Sequence, residues 1–253
     1  MRLLLFPILL ALSTPCGAFN LGDLETKLNG LKQPSPKSAA APAASRLDQF
    51  STQDQIASLK QALNQGAEKA VKELARENGF LGNNKVRIPL PENLQKADRT
   101  LRKIGLGKYS DNLITAMNRA AEAAVPEAKA LLLSAVKNMS ITDAKDILLG
   151  KEDAATQYFR RRTEVPLGEK FKPIVAHSMQ QVSLARAYDR FAGKGVKLGL
   201  VDKRDAHLDD HITRKALDGL FLMMAEQEKE IRAHPLQATG DLARKIFSAL
   251  RGH

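Results

Sequence analysis

Residues 209–232, DDHITRKALDGLFLMMAEQEKEIR, contain the longest apolar helical pattern of the chain and decide its fold class. From Leu217 to Ala225 the pattern is apolar on nearly every side, which is typical of a helix at the centre of a bundle. Convincing strand patterns are almost absent from the rest of the sequence. We therefore predict an all-α, multi-helix bundle with this helix at its centre.

Capping residues mark the starts of other predicted helices. Ser51 is followed three residues later by Asp54, and Ser140 by Asp143, which are capping-box patterns. Gly79 offers a left-handed C-terminal cap to the first of these helices. Further helices are predicted over residues 91–104, 111–139 with a break at Pro126, 152–162, 169–191 and 241–250 with Thr239 as its cap, and a glycine-rich connector over residues 193–199.

One segment, Val86-Arg87-Ile88-Pro89-Leu90-Pro91, has the pattern of an extended chain. Apolar residues alternate along it, and its two prolines are incompatible with a helix. We predict an extended strap over residues 86–91 that lies across the helices and forms a rigid frame with the central helix.

The first eighteen residues, MRLLLFPILLALSTPCGA, have the layout of a secretory signal peptide. A basic residue precedes a short apolar run, and small residues allow cleavage after Ala18. Lipid anchoring at Cys16 fits less well, because Pro15 occupies the position where a small residue is needed. No later apolar run is long enough to span a membrane. We expect a short leading helical segment at 19–30, a disordered Pro/Ala/Ser linker at 31–45 and a single all-α domain at 46–253.

The net charge of +11 shows that the chain is basic. Removal of the predicted signal peptide removes Arg2 and no acid, so the charge of the mature chain becomes +10. For an exported protein this charge favours anionic lipid, a cell-wall polymer or an acidic protein as partner. The alternative is that the surplus cations only keep helical surfaces solvated. Few aromatic residues are present for stacking on bases, which together with export argues against nucleic-acid binding. Cleavage after Ala18 would also remove the one cysteine, and with it disulfide and thiolate chemistry.

Five segments give a more specific indication. They read NNKVRIPLPENLQK, AMNRAAEAAVPEAKALLLSAVKNM, DAATQYFRRRT, EKFKPIV and KALDGLFLMMAEQEKEIR. In this order they resemble the exported bacterial family known as domain of unknown function 4197, over about residues 51–250. The resemblance implies a helical protein of the envelope, located in the periplasm. It implies no activity and no catalytic residues.

A polar cluster could line a ligand pocket. Asp218 stands within the apolar central pattern, where a carboxylate needs a basic partner or has a raised pKa. The candidate partners and neighbours lie on other predicted helices. Alternatively, the group forms a buried ion pair that fixes the helix register. The complete candidate set comprises Asn118, Arg119, Glu122, Arg160 and Asp218.

Two further sets of residues carry charge or possible metal ligands. The densest basic surface comprises Arg160, Arg161, Arg162, Lys170 and Lys172. The three arginines are in the last turn of their predicted helix, where their charge would interact favourably with the negative end of the helix dipole. His207, Asp210 and His211 form a weak metal motif, for which a solvated helix start is the favoured interpretation. No motif indicates a cofactor.

These observations favour a non-enzymatic binding or interaction module that contacts an anionic envelope component or a partner protein through the basic surface around Arg160. The alternative is an envelope hydrolase that uses Glu122 and Asp218 as paired carboxylates, because glycoside hydrolysis needs two acids that flank the bond. A third possibility is a purely structural role.

Overall fold

The computed structural model describes residues 43–180, 184–199, 208–234 and 240–251, and all regular secondary structure within these ranges is helical. The predicted all-α fold is confirmed. The helices are α1 (Ala43–Leu47), α2 (Thr52–Ala75), α3 (Glu92–Lys103), α4 (Lys108–Ala124), α5 (Ala128–Lys137), α6 (Ile141–Leu149), α7 (Ala154–Gln180), α8 (Leu184–Lys197), α9 (Leu208–Ala233) and α10 (Asp241–Arg251), with a 3-10 turn at Val125–Glu127.

Helix α9, which carries the apolar pattern at 209–232, lies at the centre of the bundle. It packs against α7, α2 and α4. Ile212, Ala216, Leu220 and Phe221 are almost completely buried, and this burial supplies a large part of the stability of the core. Leu222, by contrast, is 41% exposed, so one narrow face of the helix meets solvent.

The strap predicted at 86–91 is present as a non-helical segment. Val86, Ile88 and Leu90 are buried, whereas Arg87 and Pro89 are exposed, as the alternating pattern predicts. The strap also explains a glycine in α9. A Cβ at Gly219 would lie 2.7 Å from Cε1 of Phe80 and 3.2 Å from Cβ of Val86, so only glycine allows this approach.

The N-terminal capping signals at Ser51 and Ser140 are confirmed, whereas Gly79 does not adopt the predicted left-handed conformation. The Ser51 side chain accepts a hydrogen bond from the Asp54 amide at the start of α2, and Ser140 and Asp143 form a complete capping box at the start of α6. Pro126 interrupts the long helical pattern as one 3-10 turn. Thr239, predicted to cap the last helix, lies outside the described residues.

The predicted end of a helix at Arg162 is wrong, because α7 is 27 residues long and continues to Gln180, with Pro166 and Pro173 inside it. Each proline removes one N–H donor and leaves the carbonyl four residues earlier without its helical partner. Those carbonyls belong to Arg162 and Glu169, which are exposed, so water can satisfy them. The three arginines therefore lie inside a helix, well before its C-terminal end, and their predicted interaction with that end does not exist.

The predicted glycine-rich connector at 193–199 is also wrong, because α8 runs through Gly193 and Gly195. Each glycine costs a helix about 1 kcal/mol, but burial of Phe191 and Ala192 holds this helix against its neighbours. Among the glycines of this segment, only Gly199, which follows the helix, has a positive φ, of 66°. The predicted helix at 169–191 spans the end of α7 and the start of α8, and residues 181–183 between them lie outside the described ranges.

The N-terminal predictions fall almost entirely outside the described residues. Residues 1–42 include the predicted signal peptide, the leading segment and most of the linker. Helix α1 begins at Ala43, so the last three residues of the predicted linker are helical. Of the helices that the structure describes, none combines the length and the apolar character that a membrane crossing requires.

Candidate functional site

Glu122 on α4 is a buried carboxylate with both oxygens in use. One oxygen accepts the backbone N–H groups of Phe80 and Leu81 at 3.1 and 3.3 Å, and the other accepts the Arg119 guanidinium at 2.5 Å. Its side chain is 5% exposed. The carboxylate therefore anchors the turn that follows α2, and Arg119, one turn earlier on the same helix, neutralises it.

Arg119 extends this anchor to the residues before the turn. Its second terminal nitrogen donates to Glu77 Oε1 and to Asn78 Oδ1, both at 3.0 Å. Asn78 has a φ of 65°, so it adopts the left-handed conformation that was predicted at Gly79. Gly79 is required for a different reason, since a Cβ there would lie 2.4 Å from the carbonyl oxygen of Leu74.

Asn118 forms a hydrogen-bonded pair with the strap. Its Oδ1 accepts the Ile88 N–H at 2.8 Å, and its Nδ2 donates to the Ile88 carbonyl at 3.0 Å and to the Ile114 carbonyl at 2.7 Å. The side-chain amide thus satisfies both backbone groups of one buried strap residue, as a neighbouring strand would. Asn118, Arg119 and Glu122 together hold the segment from Glu77 to Ile88.

Arg160 and Asp218 form a separate polar group between α7 and α9. The Arg160 guanidinium lies 4.7 Å from the centre of the Phe221 ring, 3.1 Å from Glu164 Oε1 and 3.7 Å from Asp218 Oδ1. The predicted partnership of Asp218 with a base is present. The Asp218 side chain is 46% exposed, however, so its predicted burial is wrong. Asp218 is exposed because it lies on the same side of α9 as the exposed Leu222, one turn later, and Lys215, one turn earlier.

The five candidate residues therefore divide into two groups. Within the described chain, no hydrogen bond or ion pair joins the Asn118–Arg119–Glu122 group to the Arg160–Asp218 group. In the first group, Asn118 and Glu122 bind the protein's own backbone and Arg119 binds side chains of the same segment, which is the arrangement expected of a structural element.

A second buried glutamate, Glu228, was not among the candidates. It accepts the Ala155 and Thr156 amides at 3.0 and 2.9 Å and the Thr156 hydroxyl at 3.0 Å, while Arg232 donates to it at 3.0 Å. Arg232 also donates to the Ile147 carbonyl at 2.7 Å. The spacing of Glu228 and Arg232 by four residues was the available signal, but their helix-capping role depends on residues more than 70 positions away.

Most of the predicted basic surface on α7 is already neutralised. Arg160 pairs with Glu164 and Asp218, Arg162 lies 3.6 Å from Asp143, and Lys172 lies 2.8 Å from Asp210. Arg161 and Lys170 are exposed, and neither forms an ion pair with another described residue. The α7 surface thus offers two available cations rather than five.

The two described residues of the weak metal motif have other partners. Asp210 contacts Lys172, whereas His211 Nε2 lies 2.9 Å from the Pro89 carbonyl of the strap. Burial lowers the pKa of His211 despite this hydrogen bond, so the neutral ring donates to Pro89. His207 lies outside the described ranges, and inside them no three His, Cys, Asp or Glu side chains are placed to hold a metal ion.

A cleft of about 240 Å³ opens beside α7, on the side that faces α5. The Tyr158 hydroxyl donates to the Ala135 carbonyl at 2.8 Å in its wall, and the Arg162 guanidinium is its one charged group. None of the five candidate residues lines this cleft. The complete lining is Leu131, Ser134, Ala135, Asn138, Tyr158, Arg162, Thr163 and Pro166.

A second basic surface, which sequence reasoning missed, comprises cations of α3, the start of α4 and α8. Helix α8 packs against α4 and touches α3. Lys108 and Lys194 meet there, each with its Nζ 5.4 Å from the centre of the Tyr109 ring. None of its seven principal cations forms an ion pair with another described residue. This surface, the α3–α8 face, comprises Lys96, Arg99, Lys103, Lys108, Arg190, Lys194 and Lys197.

Comparison with known families identifies the family to which the chain belongs. The model of a family described as "Protein of unknown function (DUF4197)" matches residues 49–248. The chain belongs to this family. No curated protein and no solved structure matches it.

The DUF4197 match covers the central elements described above. It extends from the residues just before α2 into α10, and it includes both buried glutamates, the strap and the α3–α8 face. The resemblance predicted over about 51–250 is therefore confirmed. The family description assigns no activity to these elements.

Proposed function

We propose that this DUF4197 protein is a non-enzymatic interaction module that binds an anionic component of the bacterial envelope through the α3–α8 face. The supporting observation is that seven cations on this face lack an acidic partner among the described residues. Such cations keep their full attraction for an external anion, whereas a cation in an ion pair must first give up its partner.

The charges of the neighbouring segments support the choice of this face. Residues 92–111 and 184–199 together contain nine Lys and Arg residues against four Asp and Glu residues. The acids that are paired there, Asp98 and Asp111, both contact Arg102. On α7, in contrast, two glutamates of the helix and three aspartates from other helices offset the five cations.

The lysine pair around Tyr109 is a candidate contact point for an anion. A tyrosine ring attracts ammonium groups to its face, so Tyr109 favours the approach of both Lys108 and Lys194 to its ring despite their like charge. A phosphate or carboxylate that approaches Tyr109 finds two ammonium groups in its surroundings, each 5.4 Å from the ring centre. The two lysines come from different helices, so the fold creates the cluster.

The proposed location is the periplasm, reached by a signal peptide that is cleaved after Ala18. The N-terminal basic residue, apolar run and small residues support this location, as does the resemblance to an exported family. In that compartment the accessible anions include lipid phosphates, cell-wall polymers and acidic proteins.

The hydrolase alternative receives less support. General acid–base chemistry needs a carboxyl group within reach of a substrate proton. Glu122 is buried and already accepts three hydrogen bonds, and Asp218 is shared between Arg160 and Lys215.

Salt-dependent binding tests the proposal. The probes are vesicles of equimolar phosphatidylglycerol and phosphatidylcholine, the soluble polyanion heparin, and neutral phosphatidylcholine vesicles as the control. We expect binding to at least one anionic probe at low salt, weakened strongly at high salt by screening. Absence of binding to both anionic probes, or binding that salt does not change, would contradict the proposal.

A further inference from the structure

The α3–α8 face contains two C-terminal helix ends with the same sequence pattern, a lysine followed by a large apolar residue and a glycine. Helix α3 ends in Lys103-Ile104-Gly105, and α8 ends in Lys197-Leu198-Gly199. Both glycines adopt positive φ, 75° and 66°, and no other described residue approaches within 4 Å of where a Cβ would stand. Ile104 is 53% exposed and Leu198 is 46% exposed. Each helix end therefore presents a large apolar side chain directly beside a lysine.

These two ends lie close in sequence to the lysine pair on Tyr109, on two helices that contact each other. Ile104 precedes Tyr109 by five residues, and Leu198 follows Lys194 by about one helical turn. A third apolar side chain, Val196, is 39% exposed between the lysines of α8. The face thus combines apolar side chains with cations, a composition that a purely electrostatic contact does not need.

We infer that the α3–α8 face docks on an anionic phospholipid bilayer, with Ile104 and Leu198 inserted at the boundary between headgroups and acyl chains. This inference rests on the proposed function and identifies its partner. Lys108 and Lys194 would contact lipid phosphates, while the lysines at the two helix ends would remain in the headgroup layer and let their neighbours enter.

The apolar residues distinguish a bilayer from the other anionic partners. A soluble polyanion satisfies the lysines but leaves Ile104 and Leu198 in water. A bilayer removes both from water and gains free energy in proportion to the buried apolar area. Charge and apolar insertion act together in such binding, since neither one short apolar patch nor a few lysines alone holds a protein firmly at a membrane.

Single tryptophans can test insertion because the chain contains none. The variants are Ile104→Trp and Leu198→Trp. The matched control is Val165→Trp, at an apolar residue that is 72% exposed on α7, next to Glu164. Each variant is titrated with equimolar phosphatidylglycerol and phosphatidylcholine vesicles, and then with vesicles that carry brominated acyl chains. Unchanged circular dichroism confirms that each variant is folded.

We expect a blue shift and bromine quenching of emission at positions 104 and 198, and neither at position 165. In the Leu198→Trp background, Lys108→Gln and Lys194→Gln are each expected to weaken vesicle partitioning about fivefold. Equal quenching at all three positions, or none at 104 and 198, would overturn the docking inference.

The two proposals fail in different ways. Sedimentation with anionic vesicles without quenching at 104 and 198 overturns insertion but leaves anionic binding intact. Binding to heparin without binding to vesicles also overturns docking on a bilayer and supports a polymeric partner. Loss of binding to every anionic probe overturns both proposals.

Discussion

Glu228 of α9 closes the N-terminal end of α7 by accepting the Thr156 amide at 2.9 Å and the Thr156 hydroxyl at 3.0 Å. The first amides of a helix have no partner within the helix, and a carboxylate also complements the positive end of its dipole. Glu122 does the same for two consecutive amides of the turn at Phe80 and Leu81. In both cases an arginine on the same helix neutralises the carboxylate, Arg232 for Glu228 and Arg119 for Glu122.

Glu228→Gln is expected to reduce the free energy of unfolding by about 2–3 kcal/mol, because the amide cannot replace every charged hydrogen bond and leaves Arg232 without its counter-ion. Urea unfolding measures this change. Glu230→Gln is the matched control on the same helix, because the Glu230 side chain is 54% exposed. The substitution removes only a 3.8 Å ion pair with His234. The control is expected within about 0.5 kcal/mol of the wild type. Equal effects of the two substitutions would show that Glu228 does not anchor α7.

The two carboxylates of the hydrolase alternative are expected to differ in their importance for stability. Glu122→Gln should cost about 2 kcal/mol, since it disturbs buried charged hydrogen bonds. Asp218→Asn should change stability by less than about 1 kcal/mol, because its ion pair with Arg160 is half-exposed. Hydrogen exchange should also accelerate at the Phe80 and Leu81 amides in Glu122→Gln. A stable Glu122→Gln variant that instead lost turnover of an envelope substrate would favour the enzyme.

Gly219→Ala and Gly168→Ala form a matched pair of helix glycines. At Gly219 the new methyl group would lie 2.7 Å from the Phe80 ring, and overpacking of this kind costs about 1–3 kcal/mol. At Gly168 the nearest atom is Leu217 Cδ1 at 3.8 Å, an ordinary contact, so the higher helix propensity of alanine should stabilise by up to about 1 kcal/mol. Thermal unfolding midpoints of the two variants should therefore move in opposite directions. A shift of the same sign in both would contradict the close contact between α9 and the Phe80 ring.

His211 is expected to make stability depend on pH. Burial lowers its pKa in the folded protein below the ordinary value of 6.5, so the unfolded chain binds the proton more readily. Its contribution is therefore fully present above about pH 6.5 and is lost as the pH falls through the lower pKa of the folded state. His211→Gln keeps a donor for Pro89 but does not titrate. Between about pH 7.5 and pH 5.5 it should lose less unfolding free energy than the wild type. His234→Gln, at a side chain that is 56% exposed, is the control and should follow the wild type.

The fold could be predicted where the determining interactions are local in sequence. Ser51, Ser140 and Asp143 cap helices through residues three positions away, and the strap at 86–91 follows from its own prolines. Prediction failed at Pro166 and at the glycines of α8, where tertiary packing overrides the local preference for ending a helix.

The candidate site could be predicted only in part, for a related reason. Asn118, Arg119 and Glu122 were identified as exceptional, but their partners lie about 30–42 positions away, so the sequence did not distinguish a ligand pocket from an anchor. The α3–α8 face was missed because its cations come from segments that are about 90 residues apart. No linear run of lysines marks it, and Tyr109 joins the two parts only in the folded chain.

The most direct test of the proposed function compares two variants that each lose four positive charges. One replaces Lys103, Lys108, Lys194 and Lys197 of the α3–α8 face with glutamine. The other replaces Lys145, Lys151, Arg161 and Lys170, which are exposed elsewhere and form no ion pair with another described residue. The measurement is the apparent Kd at low salt for the anionic probe that the wild type binds most tightly.

We predict that the face variant binds at least about a hundredfold more weakly than the wild type, because each lysine near an anionic surface contributes about fivefold. The second variant, with the same net charge, should remain within about threefold of the wild type, since its substituted residues belong to α6, α7 and the segment between them and do not contact a probe bound at the α3–α8 face. Equal weakening of both variants would show that only net charge matters and would contradict the account, as would unchanged binding by the face variant.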